Sequence, residues 1–169
     1  MAFYFAYGSN MSNDYFRKVR KMTPISSNPA VLNDYRLVMN LKGPNFVEPS
    51  FANICYDNGA RVEGVLHEIA QRDFDRIVAS EGETYKLIEA SVVCGDRTVM
   101  AQTLMSEADT EQDLPTSRRY LKILIKAAIQ SDLTAEYIAS LRSKRSVYYP
   151  ILSEIFAVRV YLWVRSRAR

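Results

Sequence analysis

Apolar positions fall into short runs over the first two thirds of the chain and into helical spacing after that. Residues 3–7 are aromatic or apolar throughout, which predicts a buried first strand. The run breaks at Gly8-Ser9-Asn10. Ser12, Asn13 and Asp14 then supply helix-capping residue types, so a short helix is predicted over residues 15–19. Residues 21–29 read as a polar connection with Pro24 and Pro29. Val31, Tyr35, Leu37 and Met39 predict a strand over 30–39, and Gly43, Pro44 and Pro49 predict a long loop over 40–51. The apolar runs 52–56 and 62–69 flank Asp57-Asn58-Gly59, a hairpin signal because Asn-Gly tolerates the positive φ of a tight turn. Phe74, Ile77 and Val78 recur at helical spacing, which predicts a helix over 71–80 that ends at Glu81-Gly82, where glycine suits a C-cap. Residues 85–94 and 98–105 predict a second hairpin around Gly95-Asp96, and 106–115 form an acidic, loop-like stretch.

Tyr120, Leu121, Leu124, Ile125 and Ala128 share one side of a predicted amphipathic helix over 117–130. Thr134 is placed to cap another, with Tyr137, Ile138 and Leu141 turned inward. Five or six strands followed by helices indicate an α+β fold. The last run differs. Ile151, Ile155, Val158 and Leu162 recur at helical spacing, with Leu152, Phe156 and Trp163 alongside. Glu154 and Arg159 interrupt it, and a span needs about 20 mainly apolar residues, so no membrane span is expected. Three readings stand for this segment: packing on the domain, an oligomer contact such as a homodimer, or a helix on a membrane surface. The expected organisation is one domain over 1–146 and an apolar, basic extension over 147–169.

Composition narrows the chemistry. With 169 residues, 48% hydrophobic and 24% charged, the chain can bury a full core as one domain. A net charge of +3 is too small for a dedicated nucleic-acid binder, although much of the excess lies near the C-terminus. Cys55 and Cys94 are too few for a disulfide scaffold, and no basic-then-apolar leader opens the chain, so a cytoplasmic protein is expected. His67 is the single histidine, and it makes no zinc-ligand pattern with two separated cysteines. Serine–histidine catalysis would rest on it alone. There is no Gly-rich phosphate loop. No metal or organic cofactor is expected.

Two features can carry chemistry. The strand–loop–helix layout around Gly8 gathers backbone N–H groups that can hold a carboxylate or a carbonyl oxygen. Glu81 follows an amphipathic helix and precedes a strand entrance at Tyr85, so two regular elements position a carboxylate that can act as general acid and base. Glu83 is its nearest rival. Glu63, Glu68 and Glu89 lie on strands, and any that faces inward needs a partner.

Tyr4-Phe5-Ala6-Tyr7-Gly8-Ser9-Asn10-Met11 resembles the signature of the gamma-glutamylcyclotransferase-like proteins. Three further stretches resemble that family in the same order. They are the strand Gly64-Val65-Leu66-His67-Glu68-Ile69, the junction Glu81-Gly82-Glu83-Thr84-Tyr85, and Leu114-Pro115-Thr116-Ser117-Arg118-Arg119-Tyr120-Leu121. The chain departs from the family at Lys126-Ala127-Ala128 and Ser131-Asp132-Leu133-Thr134, where Gly-Ala and Gly-Leu-Pro are usual, and this bears on the pocket rim and the substrate.

The resemblance implies a small mixed β-barrel with flanking helices and a small-molecule gamma-glutamyl substrate. It implies that Glu81 is the catalytic carboxylate. Tyr4, Phe5, Ala6, Tyr7, Gly8, Ser9, Asn10, Tyr85 and Tyr120 would bind the substrate. The implied reaction is closure of the substrate's α-amine on its own side-chain carbonyl, which releases 5-oxoproline and an amine or amino acid. A non-catalytic small-molecule or partner-binding domain on the same scaffold is the alternative reading.

Overall fold

The computed structural model describes residues 1–44, 47–81, 84–108 and 110–149, and, beyond these, 155, 158–159, 161–163 and 166. Five strands close into a barrel: β1 (Ala2–Ala6), β2 (Ser26–Lys42), β3 (Ser50–Ile69), β4 (Lys86–Cys94) and β5 (Arg97–Met105), in the order β1-β3-β2-β4-β5. Every pairing is antiparallel except the closing one, where β1 meets β5 in parallel at Tyr4 and Gln102. Closure removes the open sheet edges that would otherwise invite pairing with other chains. Phe5, Leu32, Ile54 and Ile69 are among the fully buried side chains of this core.

The barrel is flanked by the α-helices α1 (Asn13–Tyr15), α2 (Gln71–Glu81), α3 (Arg118–Gln130) and α4 (Ala135–Ser143). A one-turn 3-10 helix (Ser9–Met11) precedes α1, and a π-type turn (Phe16–Arg20) follows it. The caps are the residues their side chains favour. Ser12, Ser117 and Thr134 each accept a hydrogen bond from a backbone N–H three residues on, at 3.2, 3.0 and 3.2 Å. Helix α2 buries Phe74 and Ile77, and α3 buries Leu121, Leu124 and Ala128, as the helical spacing predicts. Helix α3 lies against the Ser9–Met11 turn and α4. Short parallel strands β6 (Thr116–Ser117) and β7 (Ser146–Val147) tie the start of α3 to the end of α4.

The first half of the barrel corrects three readings. Asp57-Asn58-Gly59 is not a hairpin turn; β3 runs through it as one strand. Asn33 pairs with Arg61 and Tyr35 with Tyr56, so residues 57–60 face Asp34 alone. Asp34 and Gly59 take the positive φ values of 62° and 80°, and Gly59 N–H donates to Asp34 Oδ1 at 2.9 Å. The Asn-Gly signal is therefore spent on a bulge that bends both strands. The turn of this hairpin lies instead between Lys42 and Ser50, shorter than the loop expected over 40–51. Gly43 is required there, since a Cβ would stand 2.2 Å from the Glu48 carbonyl oxygen. Finally, β2 begins at Ser26, not at Ala30, and includes Pro29. Pro29 pairs with Val65 on one side, while β4 joins β2 only from Val31 onward, so the missing N–H falls on an unpaired edge.

The predicted C-cap at Gly82 lies outside the described residues, as does the rival carboxylate Glu83. In the 147–169 segment, the described residues 155, 158–159, 161–163 and 166 are helical, and Ile155, Val158 and Leu162 are exposed. No helix among the described residues is long and apolar enough to cross a membrane.

Candidate active site

Strand β1 ends at Ala6, and the chain then turns through Gly8 into the Ser9–Met11 helix. The turn brings the backbone close to α3: a Cβ on Gly8 would stand 3.3 Å from the Tyr120 hydroxyl oxygen. Tyr120 Oη in turn accepts from Ala52 N–H at 3.3 Å, and Tyr85 Oη donates to the Ala52 carbonyl at 3.2 Å. Tyr7 Oη donates to the Leu104 carbonyl. Three tyrosines from three parts of the chain are thus anchored on barrel backbone. Burial pushes the hydroxyl pKa of Tyr4, Tyr7, Tyr85 and Tyr120 up, and the Glu81 carboxylate adds to the shift in each. All four remain phenols that can donate.

Glu81 is the last residue of α2, and its side chain is 23% exposed. Its Oε1 accepts from Arg20 Nη2 and from Asn10 Nδ2, the latter at 3.3 Å. Among the described residues nothing donates to Oε2. Arg20 is almost wholly buried, and each of its nitrogens is engaged. Nε donates to Asn10 Oδ1 at 2.9 Å and Nη1 to Ser80 Oγ at 2.6 Å, while Nη2 holds Glu81. Asn10 Nδ2 also donates to Tyr4 Oη at 3.0 Å. A charged fork with its donors fixed in a plane suits this task better than a flexible ammonium.

His67 supports the loop from behind. Its Nε2 donates to the Asn10 carbonyl at 2.9 Å, so in the neutral ring Nδ1 accepts from the Ser27 hydroxyl at 2.8 Å. Burial lowers its pKa to about 4, against the partial opposition of the Asn10 hydrogen bond. The Ser27–His67 distance would suit a nucleophile and its base, yet a ring so weakly basic and walled by Phe16 and Tyr4 is a poor proton acceptor. Among the described residues no group of His, Cys, Asp and Glu could hold a metal ion.

Two connected cavities result. A narrow recess of about 40 Å³ is lined by Tyr4, Tyr7, Gly8, Ser9 and Asn10 from the first loop, with Glu81, Tyr85 and Tyr120 opposite. It opens on a cleft of about 370 Å³ that shares Ser9, Glu81, Tyr85 and Tyr120 and adds Lys42, Phe51, Arg119 and Trp163. Of the ten residues singled out in the sequence, Phe5 and Ala6 line neither cavity. The Phe5 ring lies over Gly64 in the core instead.

Arg20, Ser80 and Glu48 went unremarked in the sequence, and Arg119 was named only within the Leu114–Leu121 stretch. Arg20 closes a short helix with nothing in its spacing to mark it as buried, and Glu48 sits in a turn between prolines. Glu63 was noted as needing a partner if it faced inward. It caps α4, accepting from Thr134 N–H at 2.8 Å and Thr134 Oγ1 at 2.6 Å.

Comparison with known proteins follows the same lines. Residues 61–141 match the family model of the AIG2-like family. The chain is 28% identical to gamma-glutamyl cyclotransferase aclK of Aspergillus oryzae, over 89% of this chain and 63% of that protein. It is 25% identical to gamma-glutamyl cyclotransferase gliK of Claviceps purpurea, over 94% of this chain and 77% of the other. The chain thus spans under two thirds of the Aspergillus relative. A solved structure named gamma-glutamyl cyclotransferase superposes with a TM-score of 0.78 at 21% identity, covering 94% of this chain and 97% of that one, which shows a shared fold. Motifs, family model and barrel agree, and together they support the gamma-glutamylcyclotransferase-like family for this chain.

Proposed function

We propose that this protein is a gamma-glutamyl cyclotransferase, converting a gamma-glutamyl amide to 5-oxoproline and a free amine or amino acid. The observation that carries the reading is Glu81 itself. One carboxylate oxygen is pinned by Arg20 and Asn10, and the other has no donor among the described residues, at the meeting of recess and cleft. In this reading the gamma-glutamyl group is assigned to the recess and the leaving group to the cleft.

In this reading the substrate's α-amine nitrogen attacks its own γ-carbonyl carbon, and a five-membered ring closes. The nucleophile is tethered, so the site's main task is to hold the substrate in an attacking conformation. Glu81 Oε2 takes the proton that the amine sheds. As the bond from carbon to the leaving nitrogen breaks, Glu81 returns that proton to the nitrogen. The developing oxyanion and the substrate carboxylate need donors. The Ser9 hydroxyl and the backbone N–H groups opening the Ser9–Met11 turn, which lack intrahelical acceptors, are assigned to them. Tyr85 and Tyr120 wall the path between the two cavities, and Tyr4 and Tyr7 close the recess.

The test is a mass-spectrometric assay for 5-oxoproline with gamma-glutamyl amino acids and gamma-glutamyl amines as substrates. Glu81→Gln keeps the shape and the hydrogen bond to Arg20 but cannot take a proton. It should stay folded, with some loss of stability because the buried Arg20 loses its counter-charge, and it should bind substrate but turn over at least about 100-fold more slowly. Full activity in that variant would remove Glu81 from the chemistry.

A further inference from the structure

The cleft beside the recess has a built-in cation with an unusual support. Arg119 lines it, together with the apolar side chains of Leu41, Pro44, Phe51 and Ile123. Its Nε and Nη2 both donate to Glu48 Oε1, at 3.2 and 2.9 Å. The same oxygen accepts from Ser117 Oγ at 2.6 Å, while Ser117 Oγ receives the Tyr120 N–H. Glu48 is fully buried, and its Oε2 has no partner among the described residues. Burying a carboxylate with one oxygen unsatisfied is costly. Here that cost locks one edge of a guanidinium in place at the start of α3. A guanidinium carries N–H donors on every nitrogen. Glu48 uses the Nε edge, and no described residue accepts from Nη1. The side chain is 24% exposed, on the wall of the cleft.

We infer that Arg119 reads a carboxylate on the leaving group, so the preferred substrates are gamma-glutamyl amino acids with apolar side chains and not gamma-glutamyl amines. The inference rests on the cyclotransferase reading for the reaction, and on its own geometry for the specificity. The chemistry is that of a planar fork meeting a carboxylate in a partly dry cleft, with Glu48 preventing the fork from swinging into solvent. The apolar residues facing it accept the side chain. Glu81 cannot serve this carboxylate, being of like charge, and Arg20 is already saturated by Asn10, Ser80 and Glu81. Arg119 is a specificity residue in this account and takes no part in the proton transfers.

Two ligands that differ only in the carboxylate test it: gamma-glutamyl-α-aminobutyrate and gamma-glutamyl-propylamine. The parent protein should prefer the first in kcat/KM, and Arg119→Gln should shrink the ratio between them at least about tenfold, mainly through KM of the first. Arg119→Lys should restore part of it. A purely structural role for the Arg119–Glu48 pair would depress both substrates together and leave the ratio unmoved, which overturns the inference. Glutaryl-α-aminobutyrate and glutaryl-propylamine lack the attacking amine, so their calorimetric binding to the parent protein reads the subsite without turnover. Tighter binding of the first supports the inference even if no 5-oxoproline forms from any substrate, an outcome that would sink the cyclotransferase reading alone. Equal binding of the two, or binding of neither, overturns the inference.

Discussion

Single residues carry this site through second contacts that their neighbours in sequence do not reveal. His67 is the clearest case. It lines neither the recess nor the cleft, yet it holds the Asn10 carbonyl, and Asn10 holds Glu81. Its burial predicts a pH dependence whose sign can be worked out. The folded-state pKa, about 4, lies below the ordinary 6.5, so the unfolded chain binds the proton first as pH falls. The stability His67 contributes is fully present above about pH 6.5 and is lost progressively as pH falls through 6.5 toward 4. The full span is of order 3 kcal/mol. His67→Gln keeps a donor for the Asn10 carbonyl but does not titrate. Urea unfolding at several pH values should show a shallower acid loss in the variant than in the parent, whose carboxylates titrate alike. Parallel curves would mean that His67 takes up its proton at the same pH in the folded protein as in the unfolded chain. This role was not legible in the sequence, where His67 is an isolated ring in an apolar run. The position of Glu81 at the cavities was, because a helix end and a strand entrance both point to it. Arg20 was not, because pattern tells which face a charge occupies only when neighbours share the period, and the Phe16–Arg20 turn is a single irregular one.

At the level of elements, regular pieces were readable and their joins were not. Helices α2 and α3 announced themselves by period, α4 by period and its Thr134 cap, and the β4–β5 hairpin by its Gly95 turn. The β2–β3 pair defeated the same reasoning. Asn-Gly suits a two-residue turn, but it also suits a bulge, and only the partner strand decides which. Gly64 shows what that pairing demands. It sits beside the end of β1 where that strand pairs with β3, and a Cβ there would come within 2.4 Å of the Ala6 carbonyl oxygen and 2.8 Å of the Phe5 ring. The carbonyl is backbone in the paired strand and cannot swing away. Gly64→Ala should therefore destabilise the barrel by about 1–3 kcal/mol, read as a lower urea midpoint with little change in slope. Gly95→Ala is the useful contrast, because nothing lies within 4 Å and only its positive φ is strained. An unchanged midpoint for Gly64→Ala would show that β1 does not lie this close to β3.

On the scale of the whole molecule, the cleft belongs to no single stretch. The first loop, the end of α2, the β2–β3 turn, the start of α3 and the C-terminal segment each contribute a wall. A sequence read in order cannot see this, since the barrel order β1-β3-β2-β4-β5 is set by packing between distant runs. The farthest contributor is Trp163, which lines the cleft although it lies more than forty residues beyond Tyr120 in the chain. Of its described helical neighbours, Ile155, Val158 and Leu162 are exposed, while the Trp163 indole lines the cleft. That arrangement separates binding from folding. Trp163 is 45% exposed, and its loss should cost the barrel little, with the melting temperature moving by no more than about 2 °C. A leaving group with an apolar side chain would lose an aromatic surface worth about 1 kcal/mol, so Trp163→Ala should raise KM about fivefold with kcat nearly unchanged. The effect should fade for a glycine leaving group, which has no side chain to meet the indole. An equal rise for both leaving groups would place Trp163 in the general shape of the cleft, and no rise for either would place the segment away from the substrate altogether.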